Sequence, residues 1–196
     1  MISIPFLRKS VENIWLFLRK NVNLKSNKIP SSLEDLYIIL RALEDVFMLS
    51  YVREYSKPYK KSEFSKSKIY LFDVGYVHFL SRESEDYGRI LENIVFIELF
   101  RRDDNINNKN IFYYKSKKDQ ECDFVLLKKG KIDMAIQVSY ELNDKNRDRE
   151  INGLMAAMSI FKLNEGLILT FDQTDVIRTN GKIIKVMSVW KWLLSV

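Results

Sequence analysis

Cysteine and histidine are nearly absent from this chain of 196 residues: each occurs once, as Cys122 and His78. A lone thiol closes no internal disulfide, which fits a reducing compartment and leads to the expectation of a cytoplasmic protein. One cysteine and one histidine also exclude a conventional zinc site built from this chain alone. They leave no Cys–His or Ser–His pair for nucleophilic catalysis, and His78 reads as an ordinary helix or loop residue. No apolar run approaches the ~20 residues that a membrane span needs. The opening MISIPFLRKS lacks the basic-then-apolar pattern of a signal peptide, so no membrane is expected among the partners. Nor is there a G-x-x-x-x-G-K-[ST] loop. Gly181-Lys182 matches only the end of one, and the sequence is expected to have no ATP site of its own.

What is present is apolar side chain and positive charge. Hydrophobic residues make up 46% of the chain, enough for a globular core. The net charge of +6 favours an anionic partner, nucleic acid first. A lysine-rich surface of the kind thermophiles carry accounts for the same number.

Residues 1–65 read as a small helical unit with a wing. Pro5–Lys20 sets Phe6, Val11, Ile14, Trp15, Phe17 and Leu18 on one apolar stripe. A second helix opens at Ser31/Ser32, with Glu34 and Asp35 in its first turn, and carries Leu33, Leu36, Ile39, Leu40, Leu43 and Phe47 at helical spacing. Met48–Tyr55 and Lys68–Phe72 read as strands flanking a stretch, residues 57–68, with five lysines and one glutamate. Helices followed by a basic hairpin suggest a winged helix. Its second helix holds Glu34, Asp35, Glu44 and Asp45 against Arg41, the wrong sign for a DNA groove. The wing lysines Lys57, Lys60, Lys61 and Lys66 are the better phosphate contacts. A packing unit with no nucleic-acid role fits the same pattern.

Residues 66–196 carry the candidate chemistry. Asp86–Arg102 is amphipathic and holds Glu92. Ile111–Tyr114, Cys122–Leu127 and Ile132–Val138 read as three strands, the last two joined by a tight turn at Lys128-Lys129-Gly130-Lys131. Simple alternation sends Glu121 and Asp123 to one face and Cys122 and Phe124 to the other. On the next strand Gln137 and Ser139 share a face, opposite Ile136 and Val138. A carboxylate in mid-strand is costly unless something binds it, so Asp123 asks for a partner. A helix over 143–163, a buried strand Gly166–Phe171, a hairpin at Asn180-Gly181 and a closing helix Trp190–Leu194 complete the order.

The segments KIYLFDVG (68–75), GRILENIVFIELFRR (88–102), IFYYKSKKDQECDFVL (111–126), IQVSY (136–140) and VWKWLL (189–194) together resemble the C-terminal domain, of uncharacterised function, of archaeal AAA-type ATPases. The helix–three-strand–helix–strand order is similar to the PD-(D/E)xK restriction-endonuclease-like core. The resemblance implies an α/β fold with a mixed sheet, and a winged-helix segment joining it to an ATPase domain. In an active member, strand carboxylates hold Mg²⁺ or Mn²⁺ and a lysine beside the second one assists the attacking water. Carried onto this sequence, Glu92 is the helix carboxylate, Asp123 the central metal ligand, and Gln137 and Ser139 stand at the (D/E) and K positions. The last two depart from the motif, since an amide binds metal more weakly and a hydroxyl lacks the positive charge. Glu121 or Glu141 could supply the missing carboxylate, and Lys115, Lys117 or Lys118 the missing lysine; these three are also candidate nucleic-acid contacts. Glu92 paired with Arg89, and Asp123 paired with a lysine from a neighbouring strand, are equally ordinary structural arrangements.

Three functions are therefore expected to compete. The first is a DNA-binding accessory to an ATPase, on a separate subunit or otherwise, with a degenerate nuclease site. The second is an active Mg²⁺-dependent DNA endonuclease. The third is a protein-interaction module regulating an ATPase.

Overall fold

Two-residue turns set the geometry of the C-terminal half. Lys129-Gly130 and Asn180-Gly181 both lie in the left-handed region, with φ of 50° and 77° and of 49° and 72°. Paired positive φ values match the twist of the flanking strands, as in a type I′ hairpin. The computed structural model of the chain describes residues 33–56, 67–75, 87–102 and 110–195. The helix expected over Pro5–Lys20, His78 and the wing lysines Lys57, Lys60, Lys61 and Lys66 lie outside the described residues.

Helix α1 (Leu33–Asp45) is followed by strands β1 (Leu49–Glu54) and β2 (Ser67–Leu71), then helix α2 (Tyr87–Arg102). Next come β3 (Ile111–Lys115), β4 (Glu121–Lys128), β5 (Lys131–Val138), α3 (Arg147–Ile160), β6 (Glu165–Thr170), β7 (Asp175–Thr179), β8 (Lys182–Ser188) and α4 (Val189–Leu194). All eight strands form one mixed sheet in the order β2-β1-β3-β4-β5-β6-β8-β7. Helix α3 is the crossover between the parallel neighbours β5 and β6. Within the described residues the expected strands and helices occur, with ends moved by a few residues. Phe47 leaves the apolar stripe of α1: it follows the helix end at φ 53° and lays its ring against Phe72. Among the described residues no helix is long and apolar enough to cross a membrane.

The strand pair expected as a wing does form an antiparallel hairpin, with Leu49 opposite Leu71 and Arg53 opposite Ser67. It also continues into the main sheet, because β1 runs parallel to β3 through Arg53–Phe112 and Glu54–Tyr113. The expected boundary at residue 65 falls between two strands of that one sheet. A small cluster of Leu40, Leu43, Leu49 and Leu71 fastens α1 to the hairpin.

Two larger cores lie on opposite faces of the sheet. On one, Leu91, Val95, Phe96 and Leu99 of α2 and Trp192 of α4 meet Tyr113, Phe124, Ile136 and Val138. On the other, Leu154, Ala157 and Met158 of α3 meet Cys122, Val125, Ala135 and Ile168. Burying a Phe or Leu side chain contributes about 1.5–3 kcal/mol, so these layers carry most of the favourable free energy. Gly153 lets α3 settle this closely. A Cβ there would stand 2.0 Å from the Glu121 carbonyl oxygen, a backbone atom that cannot swing aside.

Helices α2 and α4 are tied by charge as well as packing. Glu98 accepts from Arg101 Nη2 at 2.7 Å and from Arg102 Nε at 2.6 Å. Arg102 also donates to the Trp192 carbonyl at 2.8 Å and sits over the Trp192 ring. It therefore satisfies a last-turn carbonyl of α4. The Arg101 hydrogen bond, followed by that of Arg102, holds the Glu98 carboxyl down at about 2, while burial pulls the other way.

Substitution tests both the close approach of α3 and the Glu98 tie. Gly153→Ala gains about 1 kcal/mol of helix propensity but overpacks, and is expected to lose at least 1–3 kcal/mol net in urea unfolding. A depressed carboxyl stabilises the fold above its unfolded value near 4 and loses that effect as pH falls toward 2. Glu98→Gln should therefore cost about 1–3 kcal/mol at pH 7, and the gap should close between about pH 4 and pH 2 in acid titrations followed by circular dichroism.

Candidate functional site

Strand β4 carries one residue too many opposite β3. Phe112 pairs with Val125 and Tyr114 with Cys122, so Tyr113 alone faces both Asp123 and Phe124. Such a bulge resets the alternation of side chains. Cys122 enters the α3 core, while Phe124 enters the α2 core, contrary to the expectation that they share a face. Asp123 is re-aimed with Phe124 toward α2. There it meets Glu92, which α2 supplies, and Glu121, which lies on the same side.

At the centre of these three carboxylates stands Lys68. Its ammonium lies 3.0 Å from Glu92, 2.8 Å from Glu121 and 2.8 Å from Asp123. The Lys68 side chain is only 19% exposed and that of Asp123 10%. Tyr70, two residues on and hence on the same face of β2, donates its hydroxyl to Glu92 at 2.5 Å. Its ring is stacked on Phe96 at 4.6 Å between centroids. The next residue of α2 continues the grip. Asn93 Oδ1 accepts the Leu71 N–H at 2.9 Å and Nδ2 donates to the Leu71 carbonyl at 2.6 Å. The Leu91-Glu92-Asn93 segment thus holds β2 by its lysine, its tyrosine and its backbone.

The electrostatics follow from burial. Desolvation works against the Lys68 charge, but Asp123, Glu92, Tyr70 and Glu121 outweigh it and hold the ammonium charged well above the ordinary lysine range. Burial pushes the Asp123 carboxyl up to about 7; Lys68 pulls it down and Glu92 pushes it further up. Burial, then Glu92, keeps Tyr70 a phenol that donates. The Cys122 thiol, raised by burial, is not a nucleophile.

The structure brings together Glu92, Glu121 and Asp123, and turns the other expected site residues elsewhere. Gln137 lies on the α3 side of the sheet. Its Oε1 accepts the Asp123 N–H at 3.3 Å and its Nε2 donates to Glu150 at 2.7 Å, while Glu150 is paired with Arg149. At the bulge Gln137 thus supplies the Asp123 N–H with an acceptor. Reciprocally, Asp123 Oδ2 accepts the Val138 N–H at 2.9 Å. Ser139 donates to the Glu141 carbonyl and accepts from Asn146. Lys115 is held by Asp119 at 2.8 Å and reaches Glu121 at 4.0 Å. Lys117 and Lys118 are exposed on the β3–β4 turn. Lys68 and Glu150 are the residues that sequence reasoning misses. The signal for Lys68 is the Lys-x-Tyr alternation of β2, which puts two polar tips on the face that α2 covers.

A divalent metal does not fit this cluster as built. Oxygens 2.8–3.0 Å from a common centre suit N⁺–H···O⁻ bonds. Mg²⁺ requires about 2.0–2.1 Å and Ca²⁺ about 2.3–2.6 Å. Among the described residues no group of three or more His, Cys, Asp or Glu is arranged to hold a metal ion.

A family model described as a domain of unknown function, DUF4143, matches residues 87–192, more than half of the chain. The chain belongs to the DUF4143 family. The matched segment contains Glu92, Glu121 and Asp123, and starts after Lys68. The DUF4143 chain is 35% identical over 202 residues to the uncharacterized protein MJ1544 of Methanocaldococcus jannaschii, covering 98% of this chain and 44% of that one. It is 26% identical over 200 residues to an uncharacterized protein of Haemophilus influenzae, covering 94% and 46%. The chain therefore spans less than half the length of either relative. DUF4143 domains are commonly the C-terminal region of AAA-type ATPases.

The raised Asp123 carboxyl has a signed consequence. The folded state keeps its proton up to about pH 7, whereas the unfolded chain releases it near pH 4. Stability from this group is present at low pH and lost as pH rises through that window. The destabilisation caused by Asp123→Asn should thus be largest near pH 4 and shrink up to about pH 7, a trend that thermal unfolding of both proteins across that range will reveal or refute.

Proposed function

We propose that this DUF4143 chain is a non-catalytic nucleic-acid-binding module, built on a PD-(D/E)xK-like frame and accessory to an ATPase. The observation that carries the reading is the Lys68 ammonium in the middle of Glu92, Glu121 and Asp123. Phosphodiester cleavage by this superfamily needs a metal bound to such carboxylates. Here a side chain neutralises them, and Gln137 and Ser139 are engaged away from the cluster.

Support for a nucleic-acid partner comes from what lines the same edge of the sheet. The β3–β4 turn brings Lys117 and Lys118 to one flank of the cluster, and both are exposed. On the other flank, Tyr140 follows β5 and Phe171 follows β6, with Phe171 N–H donating to the Tyr140 carbonyl. Tyr87, Tyr140 and Phe171 form a column of stacked rings, 5.3 and 5.1 Å between centroids, and Phe171 is 51% exposed. Lysines contact phosphates and exposed rings stack with bases. The association with an ATPase rests on the company that DUF4143 domains keep, and the winged-helix character of the N-terminal unit on the helix-and-hairpin order of α1, β1 and β2.

Fluorescence anisotropy with single- and double-stranded DNA, beside a cleavage assay in Mg²⁺ or Mn²⁺, tests the proposal. Salt-sensitive binding without cleavage is expected. Lys117→Glu with Lys118→Glu should weaken it and lower the salt slope by roughly 0.7–0.9 for each phosphate no longer neutralised. Phe171→Ala should cost about 1–3 kcal/mol on single strands. Absence of binding sinks the proposal. Cleavage that both Asp123→Ala and Lys68→Ala abolish would replace it with a nuclease whose lysine is Lys68.

A further inference from the structure

We infer that Lys68 permanently takes the place of a divalent metal, so that the three-carboxylate cluster is a socket fastening the β1–β2 hairpin to α2 and β4 rather than a site for a dissociable cation. The ammonium donates hydrogen bonds to Glu92 and Asp123 and ion-pairs with Glu121. An ammonium has three N–H donors and no acceptor, and one oxygen from each of Glu92, Glu121 and Asp123 stands 2.8–3.0 Å away. Those distances exceed the Mg²⁺ range by roughly 0.7 Å or more and the Ca²⁺ range by roughly 0.2 Å or more.

The surroundings point the same way. Glu92 holds Lys68 and Tyr70, and Asn93 holds Leu71 at both its N–H and its carbonyl. Two adjacent residues of one helix thereby address Lys68, Tyr70 and Leu71 of an edge strand. The hairpin's backbone pairing with the sheet is short, the two parallel pairs of β1 with β3 and the Tyr55 N–H on the Tyr113 carbonyl, beside Val52 and Tyr70 in the core under α2. Tyr113, opposite the bulge, puts its ring 5.6 Å from the ammonium and closes that side. A cation delivered on a strand cannot diffuse away, so it competes for the cluster at high effective concentration. The cluster is therefore closed to divalent cations while the hairpin is docked.

The inference shares its carboxylates with the proposed function, but its test contains no nucleic acid, so either can fail alone. Electron paramagnetic resonance of free Mn²⁺ should show no binding to the full wild-type chain at about 1 mM, the weak end of protein sites for divalent cations. Lys68→Ala should free the socket. Exchange of the Leu71 amide should accelerate on the order of a hundredfold, as expected when one partner of a buried ion pair is removed. The variant should also bind one Mn²⁺ and recover protection when it does, and Asp123→Asn added to it should abolish that binding. Lys68→Met, which keeps the apolar stem, serves if the alanine variant does not fold. Stoichiometric Mn²⁺ binding by the wild type that Asp123→Asn removes would overturn the inference. So would unchanged exchange at Leu71 in a folded Lys68 variant, or the failure of both variants to fold with and without Mn²⁺.

Discussion

A buried charge cluster decides how this molecule is assembled. Withdrawing an ammonium and three carboxylates from water costs several kcal/mol per ion, and attraction offsets this only when geometry is good and the remaining hydrogen bonds are satisfied. Both conditions hold around Lys68. The ammonium donates to Glu92 and Asp123 and ion-pairs with Glu121 at 2.8 Å, Glu92 has Tyr70 as well, and Asp123 turns its second oxygen to the Val138 N–H. Three carboxylates against one ammonium still leave excess negative charge, and the Glu92 charge adds to burial in raising the Asp123 carboxyl. The arrangement is a poor source of stability and a strong specifier of which surfaces meet.

The rest of the fold can be understood as what delivers those four groups. The long helix α2 brings Glu92 over the sheet because Val95, Phe96 and Leu99 on the same side bury themselves there. The hairpin brings Lys68, and its own small leucine cluster with α1 keeps it a rigid carrier. The bulge in β4 brings Asp123, and α3 backs the bulge from below through Gly153 and Glu150. Sheet, helices and hairpin are thus correlated through one point where backbone irregularity and charge coincide.

Much of this was legible in the sequence. The order of strands and helices followed from apolar runs and from Lys-Gly and Asn-Gly turns, whose conformations only a few residue types accept. Glu92 and Asp123 stood out as carboxylates in apolar surroundings. The face each strand residue takes was legible only where the ladder is regular. One extra residue on β4, opposite Tyr113, reversed the reading, placing Phe124 with α2 and leaving Gln137 on the far side. Alternation carries no mark of a bulge. Lys68 was hidden by its company, the last of five lysines in a basic stretch, and composition cannot tell the buried one from its neighbours. The resemblance to the PD-(D/E)xK core named the position of a missing lysine and pointed to Lys115, Lys117 and Lys118. The lysine that the structure sets against Asp123 is none of these but Lys68, from a strand 55 residues earlier in the chain.

The grip of Asn93 on Leu71 has a consequence for how this sequence tolerates change. A side-chain amide bound to both polar groups of one strand residue works as a reading frame. Lys68 lies three positions before Leu71, an odd step that sends their side chains to opposite faces of the strand. Deleting or inserting a single residue in that interval would leave the amide satisfied while rotating the lysine to the outer face. Substitutions there can be graded by chemistry, but changes in length cannot. In this short interval spacing is under tighter physical constraint than identity.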